Sequence, residues 1–454
     1  MFEPPHPKPL APVAALVRAV WRGERDLLGL LPADAYRVPI GHLGYTRRSI
    51  LIVNDPGLVR SVLLDEEGIF PKNDLMVDAL QPLVGDSLFI SGGATWRRQR
   101  AMVDPGFTHM RLGSAFPAMS AAVSAYGDLL GQYAANGADF SLDLAMSHLT
   151  ADIICRTVFS TPLTSQLARE VFDAFTVFER SAAQVDFKRL IFDPAFRPVP
   201  QRAEVLSACS QIRRQLAALL APHLDEPGRF DDIASAMVSA RDAESGRPFS
   251  HDELVDQLGV FFLAGHETTA SALTWAVFIL SRLPDVVGRL RAEVDAVTGG
   301  RSVAFGDLRE LKFTRSIFRE TLRLYPPITF IPRVAMRNTR LGPMRVRRGA
   351  MVMISPWTIQ RHADLWQAPH AFDPDRFLGA RESESVSGAY LPFGLGPRVC
   401  VGAAFAQSEA TLILAELFRR FDFRIVRPDD VRPVARLTTR PATQIRVRVA
   451  RHDG

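Results

Sequence analysis

The stretch FGLGPRVCVG, residues 393–402, places three glycines and a proline around one arginine, Arg398, and one cysteine, Cys400. The chain has only three cysteines, so a cysteine in so glycine-rich a loop requires an explanation. A helix is predicted to start directly after it, over 402–420, and the free N–H groups and dipole of a helix N-terminus stabilise a thiolate. The loop therefore presents a sulfur that suits either a nucleophile or a metal ligand.

The two roles of Cys400 need different neighbours. A catalytic nucleophile needs a nearby base, and no Cys/His pairing is suggested around the loop. A thiolate bound to haem iron needs N–H donors near the sulfur, glycines that let the backbone approach a porphyrin, and an arginine for a propionate. Gly394, Gly402 and Arg398 supply these features. The haem ligand is the favoured interpretation.

The loop resembles the haem-binding loop of the cytochrome P450 family, the haem-thiolate monooxygenases, and matches F-G-x-G-x-R-x-C-x-G at every fixed position. The resemblance implies the cytochrome P450 fold and a haem b (iron protoporphyrin IX) whose iron has Cys400 as its axial ligand. Phe393, Gly394, Arg398 and Gly402 would complete the cofactor loop. It also implies dioxygen as a co-substrate.

The residue patterns along the chain fit a mainly α fold with a smaller β-rich lobe. Residues 35–54 alternate and are rich in β-branched types, which predicts a hairpin or small sheet. From 56 to 325 apolar residues recur at helical spacing. Strand-like pieces follow Pro327, then a proline-rich meander over 370–398, a helix and a strand-rich tail over 422–449. There is no repeat or linker, so residues 1–454 are predicted to form one catalytic domain.

Composition excludes several classes of protein. The 454 residues are 47% hydrophobic and 23% charged, with a net charge of +5 carried almost entirely by arginine. No basic run is interleaved with aromatics for stacking on bases, so we expect no nucleic-acid partner. Cys155, Cys209 and Cys400 are odd in number and far apart, and no Cys/His cluster offers zinc ligands.

The first 34 residues are predicted to be an extension with a surface helix. The apolar run at 10–21 is too short and too charged to span a bilayer, and it lacks a signal-peptide cleavage pattern. We therefore expect a soluble, cytoplasmic protein without a transmembrane anchor. No flavin or iron–sulfur module follows the tail, so the resemblance implies electrons that come from NAD(P)H through a separate ferredoxin and ferredoxin reductase. Arg97 and Arg98 are candidates for docking that partner, and a monomer is expected.

A long apolar helix is predicted over about 252–282, long enough to be the buried centre of the domain. Gly265, Glu267 and Thr268 fall in its middle. A mid-helix glycine lowers helix stability by about 1 kcal/mol, and a mid-helix threonine can bond back to a carbonyl and bend the helix. The residues indicate either a tolerated kink or a functional segment.

AGHETT in this helix resembles the A-G-x-E-T-T motif of the family. The resemblance implies that Glu267 and Thr268 relay protons to iron-bound dioxygen. Ala264 and Gly265 would leave room for that dioxygen.

FRETLRLYPP carries Glu320 and Arg323 on one helix face, which resembles the E-x-x-R motif of the family. Alone, an exposed pair at this spacing contributes only about 0.2–0.5 kcal/mol. The resemblance implies a buried trio completed by Arg376 of FDPDRF, with a structural role beneath the haem loop.

Further residues resemble the family's contacts to the haem propionates. Trp96 and Arg100 match W-x-x-x-R, and Arg333 and Arg398 match two further propionate arginines. Several cations around two carboxylates would neutralise a dianion that is expensive to bury. His362 is a further candidate partner.

The positions that match the family's substrate pocket are mostly apolar, which predicts a hydrophobic small-molecule substrate. Phenylalanines at three-residue spacing are nevertheless more often core than pocket. The candidate pocket residues are Met76, Leu80, Leu88, Phe175, Phe178, Phe262, Ile328, Phe330 and Thr438.

The sequence thus predicts a haem-thiolate monooxygenase that inserts one oxygen atom, by hydroxylation or epoxidation, into a terpenoid, steroid-like, fatty acyl or alkyl-aromatic compound. The alternatives are a haem-thiolate peroxygenase or isomerase, and a haem sensor without turnover. An intact Glu267–Thr268 pair argues against the peroxygenase and the isomerase.

Overall fold

The computed structural model describes residues 2–11, 14, 26, 28–43, 49–182, 194–198, 200–383 and 388–452. The surface helix predicted over 10–21 lies almost entirely outside the described residues. Among the helices that are described, none is on its own both long and apolar enough to cross a membrane.

Helices make up most of the described chain, as predicted. They are α1 (Pro56–Leu64), α2 (Asp74–Val84), α3 (Gly93–Val103), α4 (His109–Asn136), α5 (Leu142–Phe159), α6 (Gln166–Ala182), α7 (Ala203–Asp225), α8 (Ile233–Ser239), α9 (His251–Leu280), α10 (Pro284–Thr298), α11 (Lys312–Leu324), α12 (Pro356–Ile359), α13 (Ala380–Ser383) and α14 (Ala403–Arg420).

The strands form small sheets at the periphery of the helical body. They are β1 (Ile40–His42), β2 (Ile50–Val53), β3 (Phe140–Ser141), β4 (Ile331–Val334), β5 (Thr339–Leu341), β6 (Met344–Val346), β7 (Met351–Ile354), β8 (Phe421–Ile425), β9 (Pro433–Ala435), β10 (Thr439–Pro441) and β11 (Arg446–Arg451). The largest sheet has the order β1-β2-β7-β4, in which β2 and β7 run parallel with Ile50 opposite Met351. The predicted hairpin over 35–54 corresponds to the antiparallel pair β1 and β2.

Helix α9 is the buried centre of the fold, as its apolar sequence predicts. It starts with a capping box, in which the Ser250 hydroxyl accepts from the Glu253 amide at 3.2 Å and the Glu253 carboxylate accepts from the Ser250 amide at 2.8 Å. Most of its 30 residues are buried, and it packs against α5, α7, α11 and α14. A helix that is apolar on every face is stable only when other elements surround it.

The tail hairpin β9–β10 is fastened along the middle of α9. The carbonyl of Thr439 accepts hydrogen bonds from Ser271 Oγ at 2.7 Å and from Trp275 Nε1 at 2.8 Å. On its other side, the Thr439 amide donates to Pro327 O at 2.9 Å and its hydroxyl to Pro326 O at 2.5 Å. The residues beside Thr439 are therefore held against the AGHETT segment.

The N-terminal residues lie across the end of α11. The carbonyl of Phe2 accepts from the Phe372 amide at 2.9 Å, and the carbonyl of Pro5 accepts from the Tyr325 hydroxyl at 2.5 Å. The ring of His6 stacks on that of His370, with centroids 4.5 Å apart. This segment covers the proline-rich meander next to the buried Arg361.

Candidate functional site

The loop 393–402 folds back on itself before α14. The Cys400 amide donates to Phe393 O at 2.9 Å, and a single helical turn at Gly396–Arg398 lies between them. Gly394 and Gly396 have φ of +77° and +76°, which side chains rarely adopt. A Cβ at Gly396 would lie 3.1 Å from the Leu63 carbonyl, so this glycine also permits the close approach of α1. The loop conformation thus depends on the glycines at both positions.

Cys400 stands one turn before α14, and its side of the loop is exposed although it lies deep within the fold. The thiol is therefore accessible to a ligand although protein surrounds it. Burial raises the pKa of the Cys400 thiol, whereas the Gly402 amide and the charge of Arg100 lower that pKa. Cys155 and Cys209 are buried, and burial raises the pKa of the Cys209 thiol to about 11. Cys400 is the sulfur that the fold presents to a ligand.

Three cations gather beside the loop. The backbones of Lys72 and Arg333 pair with one another, and the charges of Arg333 and Arg398 act on Lys72. Burial and this mutual repulsion hold the pKa of Lys72 well below its usual range and lower the pKa of Arg333 to about 10. Among the described residues no carboxylate forms an ion pair with these three, although the charge of Asp65 raises the pKa of Arg333 and of Arg398. Nη1 of Arg398 is buried without a hydrogen-bond partner. We call Lys72, Arg333 and Arg398 the cation cluster.

The other predicted propionate residues lie around this cluster in different roles. Trp96 lies under the guanidinium of Arg398, 4.5 Å from its ring centroid. Arg100 pairs with Asp104 at 2.6 Å and donates to Val399 O at 2.7 Å, so it supports the loop next to Cys400. His362 is buried on the turn after α12, and no described contact joins it to the cation cluster. Lys72 was missed by sequence reasoning, although it is one of only four lysines in an arginine-rich chain.

One face of α9 is open in its otherwise buried middle. Ala264, Gly265 and Thr268 are half-buried, whereas Glu267 and Thr269 beside them are buried. The Thr268 hydroxyl donates to Ala264 O at 2.7 Å, the back-bond expected for a mid-helix threonine. The hydroxyl oxygen is therefore held on the open face.

Gly265 has a packing role in addition to any role in leaving space. A Cβ at this position would lie 2.5 Å from Cδ1 of Ile154 on α5. The glycine thus lets α5 and α9 approach closely. This packing role is separate from the role at the dioxygen site that the family resemblance implies.

Glu267 points toward the tail rather than toward Thr268. Its Oε1 accepts from Thr438 Oγ1 and from Arg440 Nε, each at 2.6 Å, and a second Arg440 nitrogen pairs with its Oε2. Thr438, which sequence reasoning placed in the pocket wall, is buried and holds this carboxylate. Arg440 was missed because it lies 173 residues further along the chain.

The predicted trio comes together in the core. Both carboxylate oxygens of Glu320 accept from Arg323 at 2.7 Å, and both side chains are 0% exposed. Arg376 reaches the same carboxylate at 3.3 Å. Arg323 also donates to carbonyls of Gln360 and Ala371, at 2.8 and 2.9 Å. The trio ties α11 to the proline-rich meander.

The predicted pocket residues divide into two groups. Met76, Ile328 and Phe330 are half-buried, as are Phe89 and Leu437, which sequence reasoning missed. In contrast, five candidates are buried by packing in the core. These are Leu80, Leu88, Phe175, Phe178 and Phe262, of which Phe175 and Phe262 stack with ring centroids 4.6 Å apart. Their spacing directs them between helices, so these five form core rather than pocket wall.

The donor set fits a haem. An accessible thiol is present, and among the described residues no carboxylate forms an ion pair with the cation cluster. Gly394 would meet no atom within 4 Å if it carried a Cβ. Arg333 is buried, and Lys72 and Arg398 are half-buried, so this group of cations needs anions; two propionates would supply them.

Comparisons with known proteins agree with this assignment. The cytochrome P450 family model matches residues 8–448. Cyclooctatin synthase of Streptomyces melanosporofaciens is 33% identical over 93% of this chain and 90% of its own length. Cyclooctat-9-en-7-ol 5-monooxygenase of the same organism is 30% identical over 91% of this chain and 88% of its own length. Pentalenene oxygenase of Streptomyces avermitilis is 31% identical over 87% and 86%, respectively.

The fold is also shared with solved structures. The cytochrome P450DA heme domain superposes with a TM-score of 0.80 at 23% identity, covering 91% of this chain and 90% of that one. The haem-binding loop, the motif of α9 and the buried trio occur together in a chain that the family model matches almost from end to end. This chain belongs to the cytochrome P450 family.

Proposed function

We propose that this cytochrome P450 monooxygenase acts on a terpenoid, with one catalytic domain that receives electrons from NAD(P)H through a separate ferredoxin and its reductase. The chain is a cytochrome P450 monooxygenase that oxidises a hydrophobic small molecule. The three Streptomyces relatives are named for oxidising or forming cyclooctatin, cyclooctat-9-en-7-ol and pentalenene, which favours a terpenoid over a fatty acyl chain.

The observation that carries the substrate proposal is the apolar character of the half-buried residues around the open face of α9. Met76, Phe89, Ala264 and Leu437 pack against a single apolar cluster. A neutral hydrocarbon skeleton gains roughly 25 cal/mol for each Å² of apolar surface it buries, whereas a charged ligand without a partner is penalised by several kcal/mol. A terpenoid with few polar groups suits such walls.

The haem would be held by Cys400 at its iron and by the cation cluster at its propionates. When bound, it supplies the activation of dioxygen that the monooxygenase reaction requires. The chain's own contribution is positional. Thr268 presents its hydroxyl on the open face of α9, and Ala264 leaves space next to it. Glu267, the carboxyl group of the proposed relay, is held by Thr438 and Arg440 of the tail.

Electron partners are proposed to dock near the haem-binding loop. Arg97 is exposed on α3, whereas Arg98 is engaged by Glu253 and stacks on Phe249 at 5.6 Å. Of the two arginines that the sequence nominated, Arg97 is therefore the one available to an acidic ferredoxin. An R97E variant should slow reduction by the ferredoxin at low salt more than at high salt.

The test begins with spectroscopy. The reduced, carbon monoxide-bound protein should show a thiolate spectrum that Cys400→Ala loses and that Cys155→Ala and Cys209→Ala retain. If Cys400→Ala keeps that spectrum, the haem ligand does not lie in this loop.

Substrate class is tested by a panel read through the haem spin state. Neutral cyclic terpenoids should give large shifts and small polar acids none. Turnover with ferredoxin, reductase and NAD(P)H should then yield a product heavier by one oxygen atom. Turnover with peroxide alone would favour the peroxygenase, an isomeric product the isomerase, and spin shifts without any turnover the sensor.

A further inference from the structure

The excess positive charge of this chain is concentrated on one small hairpin. Strands β5 and β6 with the residues on either side of them, 336–350, contain five arginines and no acidic residue. These five account for the whole net charge of +5, so the acidic and basic residues of the remaining chain balance. Among the described residues, only Arg337 of the five forms an ion pair, with Glu67. A charge placed in this way indicates an anionic partner at the hairpin.

The arginines of the two strands lie on the outer face of the hairpin. Leu341 and Val346 are buried, and they belong to the same apolar cluster as the inward side chains of β2 and β7. Because successive side chains of a strand alternate between its faces, Arg340 and Arg345 point outward, and both are exposed. Arg347, two residues beyond Arg345, is exposed as well. Guanidinium groups therefore cover the outer face.

The register of the hairpin brings two of these charges together. Arg340 stands directly opposite Arg345. Like charges at directly opposed positions destabilise an antiparallel pair. In the part of the chain that the structure describes, no carboxylate forms an ion pair with either arginine, so nothing offsets this repulsion. The hairpin gains stability when an anion binds there. We call Arg340, Arg345, Arg347 and Arg348 the basic hairpin.

Two exposed apolar side chains adjoin the basic hairpin. Met336, at its foot, is 43% exposed, and Phe196 is 39% exposed. The guanidinium of Arg348 lies over the ring of Phe196, 5.3 Å from its centroid. The Phe196 amide donates to Asp74 Oδ2 at 2.7 Å, which fastens this aromatic residue beside the arginines. One continuous patch thus offers both cations and apolar groups.

We propose that the basic hairpin binds the surface of an anionic lipid bilayer, with the arginines at the lipid phosphates and with Met336 and Phe196 at the apolar boundary beneath them. Arginine forms charge-assisted hydrogen bonds with phosphate, and each basic residue held near an anionic bilayer strengthens binding roughly fivefold. The exposed apolar pair favours a bilayer over a nucleic acid, whose backbone offers no apolar layer. Such attachment is peripheral and reversible. It does not depend on the substrate proposed above, because it is measured without turnover.

The test is co-sedimentation of the haem-loaded protein with lipid vesicles. The wild type should sediment with vesicles of mixed phosphatidylglycerol and phosphatidylcholine and not with vesicles of phosphatidylcholine alone. The bound fraction should fall as the salt concentration rises, because salt screens exposed charges beyond about 10 Å at about 0.1 M. Equal sedimentation with both kinds of vesicle, or sedimentation with neither, would overturn the proposal.

Arg345→Gln/Arg347→Gln removes two charges of the basic hairpin and should weaken binding to the phosphatidylglycerol vesicles about 30-fold. The matched control is Arg424→Gln/Arg448→Gln, which makes the same change in net charge. These two arginines are also directly opposed, on β8 and β11, but Asp139 lies close enough for the charge of Arg448 to act on it. The control should bind as the wild type does. If both double variants lose affinity equally, net charge is responsible and the proposal is wrong.

The thiolate spectrum of the reduced, carbon monoxide-bound protein shows whether each variant has folded. Where Arg345→Gln/Arg347→Gln does not fold, the single variant Arg345→Gln replaces it, with an expected loss of roughly fivefold. Unchanged binding in that variant would equally refute the proposal.

A fluorescent probe tests the apolar part of the contact. The emission of Met336→Trp should shift to shorter wavelength on phosphatidylglycerol vesicles, compared with the wild type. Met110→Trp, at an 80% exposed position on α4, should show no added shift. Binding without the shift in Met336→Trp would contradict contact with the apolar boundary. Binding to heparin or to polyglutamate, with none to the vesicles, would identify a soluble polyanion as the partner and refute the bilayer.

Discussion

Glu320 and Arg323 form a doubly hydrogen-bonded ion pair, at 2.7 Å for each bond, with no solvent exposure of either side chain. The pair is three residues apart on α11, but its consequence is tertiary. Arg323 extends from this pair to the carbonyls of Gln360 and of Ala371 in the meander, and Arg376 approaches from the meander to the same carboxylate.

Removing that carboxylate should be costly. Glu320→Ala leaves two buried guanidinium groups without a counter-charge, and we expect a loss of about 3–5 kcal/mol in the free energy of unfolding, with poor haem retention. Urea unfolding of the holoprotein measures it. The control is Asp375→Ala, which breaks the exposed bidentate pair with Arg289 and should cost at most about 1 kcal/mol. Equal losses in both variants would contradict the structural role of the trio.

The role of the Thr268 hydroxyl in proton delivery can be distinguished from the effect that any mid-helix threonine has on helix geometry. Thr268 and Thr274 make the same back-bond in α9, each at 2.7 Å, but only Thr268 of the two lies on the half-buried face. Thr268→Ala should still consume NAD(P)H and dioxygen while releasing several-fold more peroxide or water per product, because protons are no longer directed. Thr274→Ala should keep the coupling of the wild type. Peroxide yield at fixed NAD(P)H consumption decides between them, and equal uncoupling in both would point to helix distortion.

The cation cluster predicts that haem binding takes up a proton. In the cofactor-free protein, burial and the charges of Arg398 and Arg333 hold the pKa of Lys72 well below 10.5. Two propionates would raise that pKa again, so haem affinity should fall as pH rises through the interval between the two values.

Lys72→Met should abolish this proton uptake and weaken haem binding by about 10- to 100-fold, the effect of losing a hydrogen bond to a charged group. Haem titration in weakly buffered solution with a pH indicator measures both effects. Lys312→Met, at an exposed position, serves as the control. If haem binding to Lys72→Met takes up as many protons as in the wild type, a group other than Lys72 is responsible for the uptake.

The stacked rings of His6 and His370 predict sensitivity to acid. Burial, with the charges of His6, Arg361 and Arg323, lowers the pKa of His370 to about 4, and burial lowers that of His6. Because the folded-state pKa lies below the unfolded value of 6.5, the unfolded chain binds more protons, and stability is lost as pH falls from 6.5 to about 4.

For half-buried rings this loss should amount to about 1–2 kcal/mol. Unfolding of the wild type and of His370→Gln at a series of pH values measures the difference in slope. Glu3, which opposes the shift at His6, remains in both proteins. Parallel pH profiles would show that the carboxyl groups alone account for the acid response.

The parts of the site that could be predicted are those whose meaning is local. A few adjacent residues determine each of three features: the loop around Cys400, the helix His251–Leu280, and the spacing of Glu320 and Arg323. Periodicity, glycine positions and helix caps each act within one element, so they can be recognised in a single sequence.

The partners that other elements bring to the site were not predictable in the same way. Lys72 reaches the cation cluster through its pairing with Arg333, and Arg440 reaches Glu267 through the docking of β10. For the phenylalanines of α6 the prediction failed in the opposite direction: it placed Phe175 and Phe178 in the pocket wall, and both are buried in the core. Their spacing indicates an apolar face, but whether that face borders a cavity or a neighbouring helix depends on α9, against which Phe175 stacks.

The distance along the chain between Glu267 and Arg440 bears on how the protein is made. During synthesis, Glu267 leaves the ribosome 173 residues before the arginine that neutralises it. Burial of an unpaired carboxylate is unfavourable, so the middle of α9 should stay solvated, or Glu267 protonated, on nascent chains that stop short of β10. Strand β10, which is translated long after α9, would then be what closes the centre of the fold. A ribosome stalled before residue 440 should hold a chain that proteases still cut within the AGHETT segment.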